Sequence, residues 1–296
     1  MMTASKADRQ GETPSSLAPG LYLVGTPIGN LEDITLRALR VLREADVIAC
    51  EDTRQTQKLL NHFDIHTRTT SYHEHNEMTK APELVVDLEA GAKVALVTDA
   101  GMPGISDPGF RLVTLAIRHR VPVVPIPGAS AFLSGLVASG LPTDSFGFNG
   151  FLPAKVGQRR QALEAIRESQ RTEIFYEAPH RLEETVRDLV EVLGPKRHIV
   201  VAREVTKLHE EFLRGSGDQV LEALSARGDI RGEVTLIIGR AEQGASKPEI
   251  TRVSLREKLQ QRMVAEQLDE KAALKKIAKE MGISKSEAYR ELQRSK

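Results

Sequence analysis

Short apolar runs alternate with amphipathic segments from Leu21 onward. The apolar runs read LYLVG, DVIAC, KVALVTD and VPVVPIPG, and segments between them, such as ITLRALRVLREA and TRQTQKLLNHF, have helical spacing. Strands that alternate with helices of this length predict an α/β domain with a largely parallel sheet. A further helix is expected in FRLVTLAIRHR, with Asp107 as its N-cap and Pro108 as its first residue.

A second α/β unit is predicted in the following part of the chain. Its candidate strands are SFGFNGF, TEIFYE, RHIVVARE and EVTLIIG, and the longer apolar runs with an RGSG turn indicate a mixed sheet. We therefore expect a disordered polar tail over 1–19, α/β subdomains over 20–127 and 128–242, a linker over 243–250 and a helical tail over 251–296.

The helical tail carries the basic excess of the chain. It holds 12 Lys and Arg against 7 Asp and Glu, whereas the whole chain has 41 of each. Leu274, Ile277 and Met281 fall on one helical face, and the SKSE capping box after Gly282 begins a second helix. This pattern is typical of a helix-turn-helix and makes the tail a candidate RNA contact. A two-helix appendage packed on its own protein is nearly as well supported.

Composition excludes several classes of protein. The balanced charge argues against a protein that is basic throughout and coats nucleic acid. The single cysteine, Cys50, excludes a disulfide framework and a CxxC metal site and is expected to be a small buried apolar side chain. No run approaches the roughly 20 apolar residues of a membrane span, and the N-terminal residues lack the apolar stretch of a signal peptide. We expect a cytoplasmic protein.

Three loops rich in small residues follow predicted strands or join the two units. They are VGTPIGN after the first strand, TDAGMPG after the fourth and PGASA between the units. Ligands of open α/β sheets bind beyond the carboxyl ends of the strands, and glycine permits a close approach to the backbone. These loops contain neither GxGxxG nor a following GK[ST], so a dinucleotide fingerprint and a phosphate loop are not expected. Singly each loop could be a tight turn, but together they predict a small ligand held largely by backbone groups.

Seven motifs carry a resemblance to a known family. In order between Leu21 and Arg240 they are YLVGTPIGNLEDITLRAL, EDTR, TDAGMPGISDPG, PIPGASA, GFLP, FYEAPHR and GEVTL. Together they resemble the tetrapyrrole-methylase superfamily of class III methyltransferases. Within it they resemble the bacterial enzymes that 2′-O-methylate a cytidine of small-subunit (16S) ribosomal RNA. The resemblance implies two α/β subdomains with a cofactor cleft between them, S-adenosyl-L-methionine (SAM) as cofactor, 16S rRNA as substrate within the small ribosomal subunit, and a homodimer.

The resemblance also implies which residues contact the cofactor. Carried over position by position, they are Pro27, Ile28, Asp99, Gly101, Met102, Ser130, Ala131, Tyr176 and Thr235. The acceptor hydroxyl must lose a proton, and a lysine with a lowered pKa or a carboxylate could take it. Candidates lie in YEAPHR and AREVTKLHEE; we favour Lys207, with Glu177 and Glu210 as competitors. The alternative for most of these charges is a solvated rim.

Other readings of the sequence remain open. A methyltransferase of the same superfamily with a tetrapyrrole or another small acceptor is the closest rival, and a non-catalytic SAM- or RNA-binding module is a weaker one. EDTR either faces RNA or forms a buried salt-linked turn. His73 and His75 share one face of an extended segment, but no third ligand lies nearby in sequence, so an exposed loop is favoured over a metal site.

Overall fold

Five parallel strands form a sheet in the first half of the chain. The structure, a computed structural model, describes residues 16–241 together with Ala273 and Leu274. The strands are β1 (Gly20–Val24), β2 (Val47–Cys50), β3 (Thr69–Ser71), β4 (Lys93–Leu96) and β5 (Val123–Ile126), in the spatial order β3-β2-β4-β1-β5. Every pairing is parallel, so the carboxyl ends of all five strands lie at one edge of the sheet.

Helices cover both faces of this first sheet. They are α1 (Leu36–Glu44), α2 (Thr53–His62), α3 (Glu77–Glu89) and α4 (Phe110–Arg118). Apolar residues of α1 and α2 pack on one face, and those of α3 and α4 pack on the other. Leu21 and Tyr22 of β1 belong to opposite cores because successive side chains of a strand point to opposite faces.

The second sheet is mixed. Its strands are β6 (Phe146–Phe151), β7 (Thr172–Glu177), β8 (His198–Arg203), β9 (Glu211–Ser216) and β10 (Val234–Ile238), in the order β6-β7-β10-β8-β9. Only the β6–β7 pairing is parallel. The accompanying helices are α5 (Ala131–Ser139), α6 (Val156–Ala165), α7 (Leu182–Leu193) and α8 (Gly217–Ser225). Helix α5 packs on one face of the sheet, and α6, α7 and α8 pack on the other.

The predicted fold class is confirmed, and three local predictions need correction or addition. Strand β3 and helix α3 lie in a segment to which the apolar pattern assigned no element. The predicted RGSG turn is wrong, because Arg214–Ser216 continue β9 in register with β8 and Gly217 begins α8. Cys50 is fully buried, as expected.

The predicted start of α4 is also wrong. The helix begins at Phe110, and its N-cap is Gly109, whose φ of 151° lies in the region that favours glycine. Asp107 lies two residues before this cap and makes no capping hydrogen bond for the helix. Its side chain is therefore available for another role.

Both sheets belong to one compact unit that extends to Ala241, and residues 242–296 form a second unit. Leu17, within the predicted polar tail, is buried, and its N–H donates to Glu44 Oε2 at 2.8 Å. The predicted linker and helical tail lie outside the described residues, apart from Ala273 and Leu274, which are helical and buried. Within residues 16–241 and this pair, no helix is long and apolar enough to cross a membrane.

Candidate active site

A cavity of about 420 Å³ lies at the carboxyl edge of the first sheet. The loops that follow β1, β4 and β5 line one side, and β7 with the segment leading into β10 lines the other. This volume lies within the range of about 300–1,000 Å³ that is usual for small-molecule sites. The two sheets of the first unit thus form the two walls of one site.

The three small-residue loops meet at this cavity. Thr26 and Gly101 exchange backbone hydrogen bonds of 2.9 and 3.2 Å, and Thr26 Oγ1 donates to the carbonyl of Thr98 at 3.0 Å. A Cβ on Gly25 would lie 2.7 Å from Gly128 Cα and 2.7 Å from Met102 Sδ. Glycine is required there because the loops after β1, β4 and β5 are in direct contact.

The loop over residues 104–109 is pinched, in that its two end residues, Gly104 and Gly109, lie in close contact. A Cβ on Gly109 would lie 3.1 Å from the backbone nitrogen of Gly104. Between these two glycines, Ile105, Ser106 and Asp107 line the cavity, and Ser106 has a φ of 60°, which is uncommon for a residue other than glycine. The short closed loop thus presents its three central side chains to the site.

Most of the expected cofactor residues line the cavity. These are Ile28, Gly101, Met102, Ser130, Ala131, Tyr176 and Thr235. Two others do not. Pro27 is buried beside the first loop, and Asp99 is exposed at the end of β4, where its Oδ1 accepts a hydrogen bond from the backbone of Asp52 at 3.2 Å. The assignment of all nine to SAM stays a prediction.

The opposite wall carries two aromatic rings, those of Phe151 and Tyr176. Tyr176 of β7 lies in register with Thr235 of β10, and both residues face the cavity. The ring centroid of Phe151, which also lines the cavity, lies 5.5 Å from that of Tyr176. Burial raises the pKa of Tyr176, and the charges of Asp107 and Glu233 raise it further, so the phenol remains protonated near neutral pH.

Lys207, the favoured proton acceptor, does not line the cavity. Its stem packs against the first loop, since a Cβ on Gly29 would lie 2.3 Å from Lys207 Cγ. Its Nζ lies 2.9 Å from Glu204 Oε1 and 3.2 Å from Glu233 Oε2. Burial lowers the pKa of Lys207, but the hydrogen bond to Glu204 and the charge of Glu233 outweigh that effect and raise it above its usual value. The ammonium is therefore stabilised, which is unfavourable for a base.

The two competing carboxylates are also engaged. Glu177 lines the cavity, but it is buried, and its oxygens accept hydrogen bonds from the N–H of Ala178, from Arg181 Nη2 and from Thr185 Oγ1 at 2.6–2.7 Å. Glu210 lies outside the cavity lining, and its Oε2 accepts a hydrogen bond from the N–H of Thr206 at 2.7 Å. The structure therefore does not bring the three catalytic candidates together.

An acidic group at the first-sheet edge was not foreseen. The pKa of Asp107 is raised to about 6. Burial is the largest cause, the charges of Glu51 and Asp99 add to it, and the hydroxyl of Thr98 opposes it. Burial and the charge of Asp99 likewise raise the pKa of Glu51. The sequence signal was the carboxylate in ISDPG, which the helix-capping interpretation obscured.

The structure also places the two other motifs, the His73 and His75 pair and EDTR. The rings of His73 and His75 lie 5.9 Å apart after β3, and no three His, Cys, Asp or Glu side chains in the described part of the chain are grouped to hold a metal ion. In EDTR, Asp52 begins α2 by accepting from the N–H of Arg54 and also pairs with the Arg54 side chain at 3.0 Å. The salt-linked turn is thus present, but it lies at the surface, so the prediction of a buried turn is wrong.

Comparison with known proteins shows the family of the chain. A family model described as Tetrapyrrole (Corrin/Porphyrin) Methylases matches residues 20–221. The chain belongs to the tetrapyrrole methylase family. It is a methyltransferase, and the methyltransferases of this superfamily depend on SAM.

Curated relatives are similar over nearly the whole chain. "Ribosomal RNA small subunit methyltransferase I" of Halalkalibacterium halodurans is 50% identical over 91% of this chain and 93% of its own length. The protein of the same name from Mesorhizobium japonicum is 47% identical over 96% of this chain and 95% of its own. The crystal structure of uroporphyrin-III-C-methyltransferase from Thermus thermophilus has a TM-score of 0.53 at 21% identity, covering 75% of this chain and 94% of that one. This last likeness concerns the fold alone.

Proposed function

We propose that the cavity binds SAM and that the protein transfers the methyl group to the ribose 2′-hydroxyl of a cytidine in small-subunit ribosomal RNA. The observation that carries this proposal is the meeting of three small-residue loops at one cavity lined by most of the expected cofactor residues. The names of the relatives support ribosomal RNA as the acceptor. The cytidine and the ribose position rest on the sequence motifs.

The residues present fit SAM. Gly25 and Gly128 touch backbone to backbone, so neither has room for a side chain, and Gly101, Ser130 and Ala131 of the same loops line the cavity. Backbone N–H groups can bind a carboxylate, while Ile28 and Met102 offer apolar contact. When bound, SAM supplies an electrophilic methyl group on a positively charged sulfur.

The protein contributes in two ways: it positions the reactants, and it removes a proton from the acceptor hydroxyl. The rigid loops and the wall formed by Tyr176 and Thr235 would fix the orientation of the bound cofactor, and holding reactants in line is a large part of catalysis in such transfers. Phe151, exposed at the cavity, offers an aromatic surface on which a base of single-stranded RNA can stack. An acceptor for the hydroxyl proton completes the requirement.

Methyl transfer to ribosomal particles tests the proposal. Small-subunit particles that lack the modification are incubated with the protein and methyl-labelled SAM, and the modified nucleotide is mapped. We expect label on the ribose of one cytidine, with free 16S rRNA as a parallel arm that shows whether assembly is needed. Label on a base, or transfer to a tetrapyrrole and not to RNA, would contradict the proposal.

Three further properties belong to this proposal. Action on ribosomal RNA agrees with the cytoplasmic location expected from the sequence. The homodimer implied by the family resemblance stays a prediction, which sedimentation can measure. A role of the basic tail over 251–296 in RNA contact also stays a prediction, tested by charge reversal at Lys275 and Lys276.

A further inference from the structure

We propose that Asp107 is the proton acceptor of the methyl transfer, a role that rests on the proposed function. The pinched loop over residues 104–109 presents its side chain to the cavity, on the wall opposite Tyr176. This carboxylate does not cap α4, because the helix begins at Phe110 and is capped by Gly109. A half-buried carboxylate that neither caps a helix nor meets a cation needs another reason to be there.

The surroundings of Asp107 suit a base and not an ion pair. The hydroxyl of Thr98, just after β4, donates to Glu51 Oε2 at 3.4 Å and also lies beside Asp107, whose pKa it lowers. Glu51 at the end of β2 and Asp99 after β4 face it with like charge. Across the cavity lie Tyr176 and Glu177 of β7 and Glu233 before β10. Of these groups only the Thr98 hydroxyl favours the anion, so protonation of Asp107 relieves both burial and like-charge repulsion.

A carboxylate of this kind is tuned for the reaction. Its pKa of about 6 leaves it ionised at neutral pH while making it a stronger base than an ordinary aspartate. The negative carboxylate also complements the positive sulfur of SAM in the same cavity. After transfer both groups are neutral, so the reaction removes a pair of charges from a partly buried site.

The step balances without a further reactant. The ribose oxygen forms a bond to the methyl carbon, and the carbon–sulfur bond breaks with its electron pair going to sulfur. The hydroxyl proton passes to an oxygen of Asp107 and then to solvent through the open side of the cavity. Lys207 is less suited to this step because its ammonium is held by Glu204 and Glu233. Glu177 is also less suited, because three hydrogen-bond donors occupy its oxygens.

The Asp107→Asn variant tests the role with three measurements. Single-turnover methylation of small-subunit particles at saturating SAM should slow by about 100-fold or more, the usual contribution of a general base. Calorimetric SAM affinity should change by less than about threefold, since the role concerns the transition state and not binding. Carbon-13 NMR of labelled aspartates, without SAM, should show a carboxyl that titrates near pH 6 in the parent protein and is missing in the variant.

Two other variants complete the design. Asp64→Asn is the matched control, because the Asp64 side chain is 92% exposed on the same half of the chain, and it should leave all three measurements unchanged. Glu51→Gln removes one of the like charges that face Asp107 and should move the acidic limb of the rate profile to lower pH. A merely structural role of Asp107 would not produce that shift, and the test stands even if Asp107→Asn does not fold.

The outcomes separate this role from the proposed function. If the parent protein methylates the particles and Asp107→Asn keeps its rate within tenfold, Asp107 is not the base. An equal fall in rate and in SAM affinity would make it a cofactor ligand instead, and an unmoved limb in Glu51→Gln would also overturn the role. A parent protein that binds SAM but does not methylate the particles would overturn the proposed function, and the role of Asp107 with it.

Discussion

The two halves of the first unit treat carboxylates in opposite ways. In the half built on the second sheet, each buried carboxylate meets a donor: Asp188 of α7 accepts from the buried Arg159 at 2.7 Å, and Glu177 of β7 accepts from Arg181 at 2.6 Å. Hydrogen bonds from Lys207 and Arg227 lower the pKa values of Glu204 and Glu211, respectively. These charges join one element to the next and therefore stabilise the fold.

The edge of the first sheet lacks this matching. Glu51, Asp99 and Asp107 face one another across the ends of β2 and β4, and burial with like charge raises the pKa of Glu51 and Asp107. Unmatched, partly buried charges cluster at functional sites because chemistry needs groups that can change protonation state. The contrast separates the carboxylates that stabilise the fold, which are paired with donors, from those that are candidates for catalysis, which are not.

Breaking a matched charge between the helices that cover the second sheet should have the largest effect on stability. Arg159→Met removes a fully buried guanidinium that joins Asp188 and Glu184, leaving Asp188 with Arg160 alone. We expect the free energy of unfolding, measured in urea, to fall by about 3 kcal/mol. Arg167→Met, which breaks an exposed pair with Glu164, should cost less than about 0.5 kcal/mol. Equal losses would show that burial does not distinguish the two pairs.

Neutralising Glu177 should have the next largest effect. Glu177→Gln keeps the shape but places an amide donor against Arg181, Thr185 or the N–H of Ala178. The stability measured by thermal unfolding should fall by about 2 kcal/mol, the usual cost of disturbing hydrogen bonds to a buried charge. Glu183→Gln, at an exposed pair with Arg187, is the control. A stable but inactive Glu177→Gln protein would return Glu177 to the list of catalytic candidates.

Removing the unmatched charge of Asp107 should stabilise the protein. The folded pKa of about 6 lies above the ordinary 3.8, so the folded state binds the proton more tightly than the unfolded state. The contribution of Asp107 to stability is therefore largest below about pH 4 and is lost as the pH rises through 6. The free energy of unfolding of Asp107→Asn should exceed that of the parent protein by about 1 kcal/mol at pH 7.5, with solvent screening included. At pH 4 the two proteins should be equally stable. Thermal unfolding at both pH values checks the sign, and a loss at pH 7.5 would contradict it.

The smallest effect is expected at Lys207. Lys207→Met keeps the stem that packs on Gly29 and removes only the charge between Glu204 and Glu233. The free energy of unfolding should change by less than about 1 kcal/mol, and the single-turnover rate by less than tenfold. Lys196→Met, whose parent side chain is 79% exposed, is the matched control. A 100-fold slower rate with unchanged SAM affinity would instead support Lys207 as the base favoured from the sequence.

Local pattern was sufficient for much of the architecture. The apolar runs from LYLVG to EVTLIIG predicted both sheets, because strand and helix periodicities are properties of neighbouring residues. The same reasoning missed β3, whose three residues are only half-buried, and α3, which carries Pro82 within it. It also assigned no strand to Glu211–Ser216 and expected a turn there, but pairing with β8 overrides the turn preference of Gly215.

The sequence by itself determined the fold class, the three small-residue loops and the family, because each is written in contiguous motifs. Only the tertiary structure decided which charged groups meet. Asp107 and Glu51 are more than fifty positions apart, and they face each other because β2 and β4 are adjacent strands with parallel carboxyl ends. Lys207 was favoured as a base from its position after a strand, but the carboxylates of Glu204 and Glu233 hold its proton. Whether a titratable side chain is matched or unmatched depends on contacts across the fold, and its chemistry follows from that.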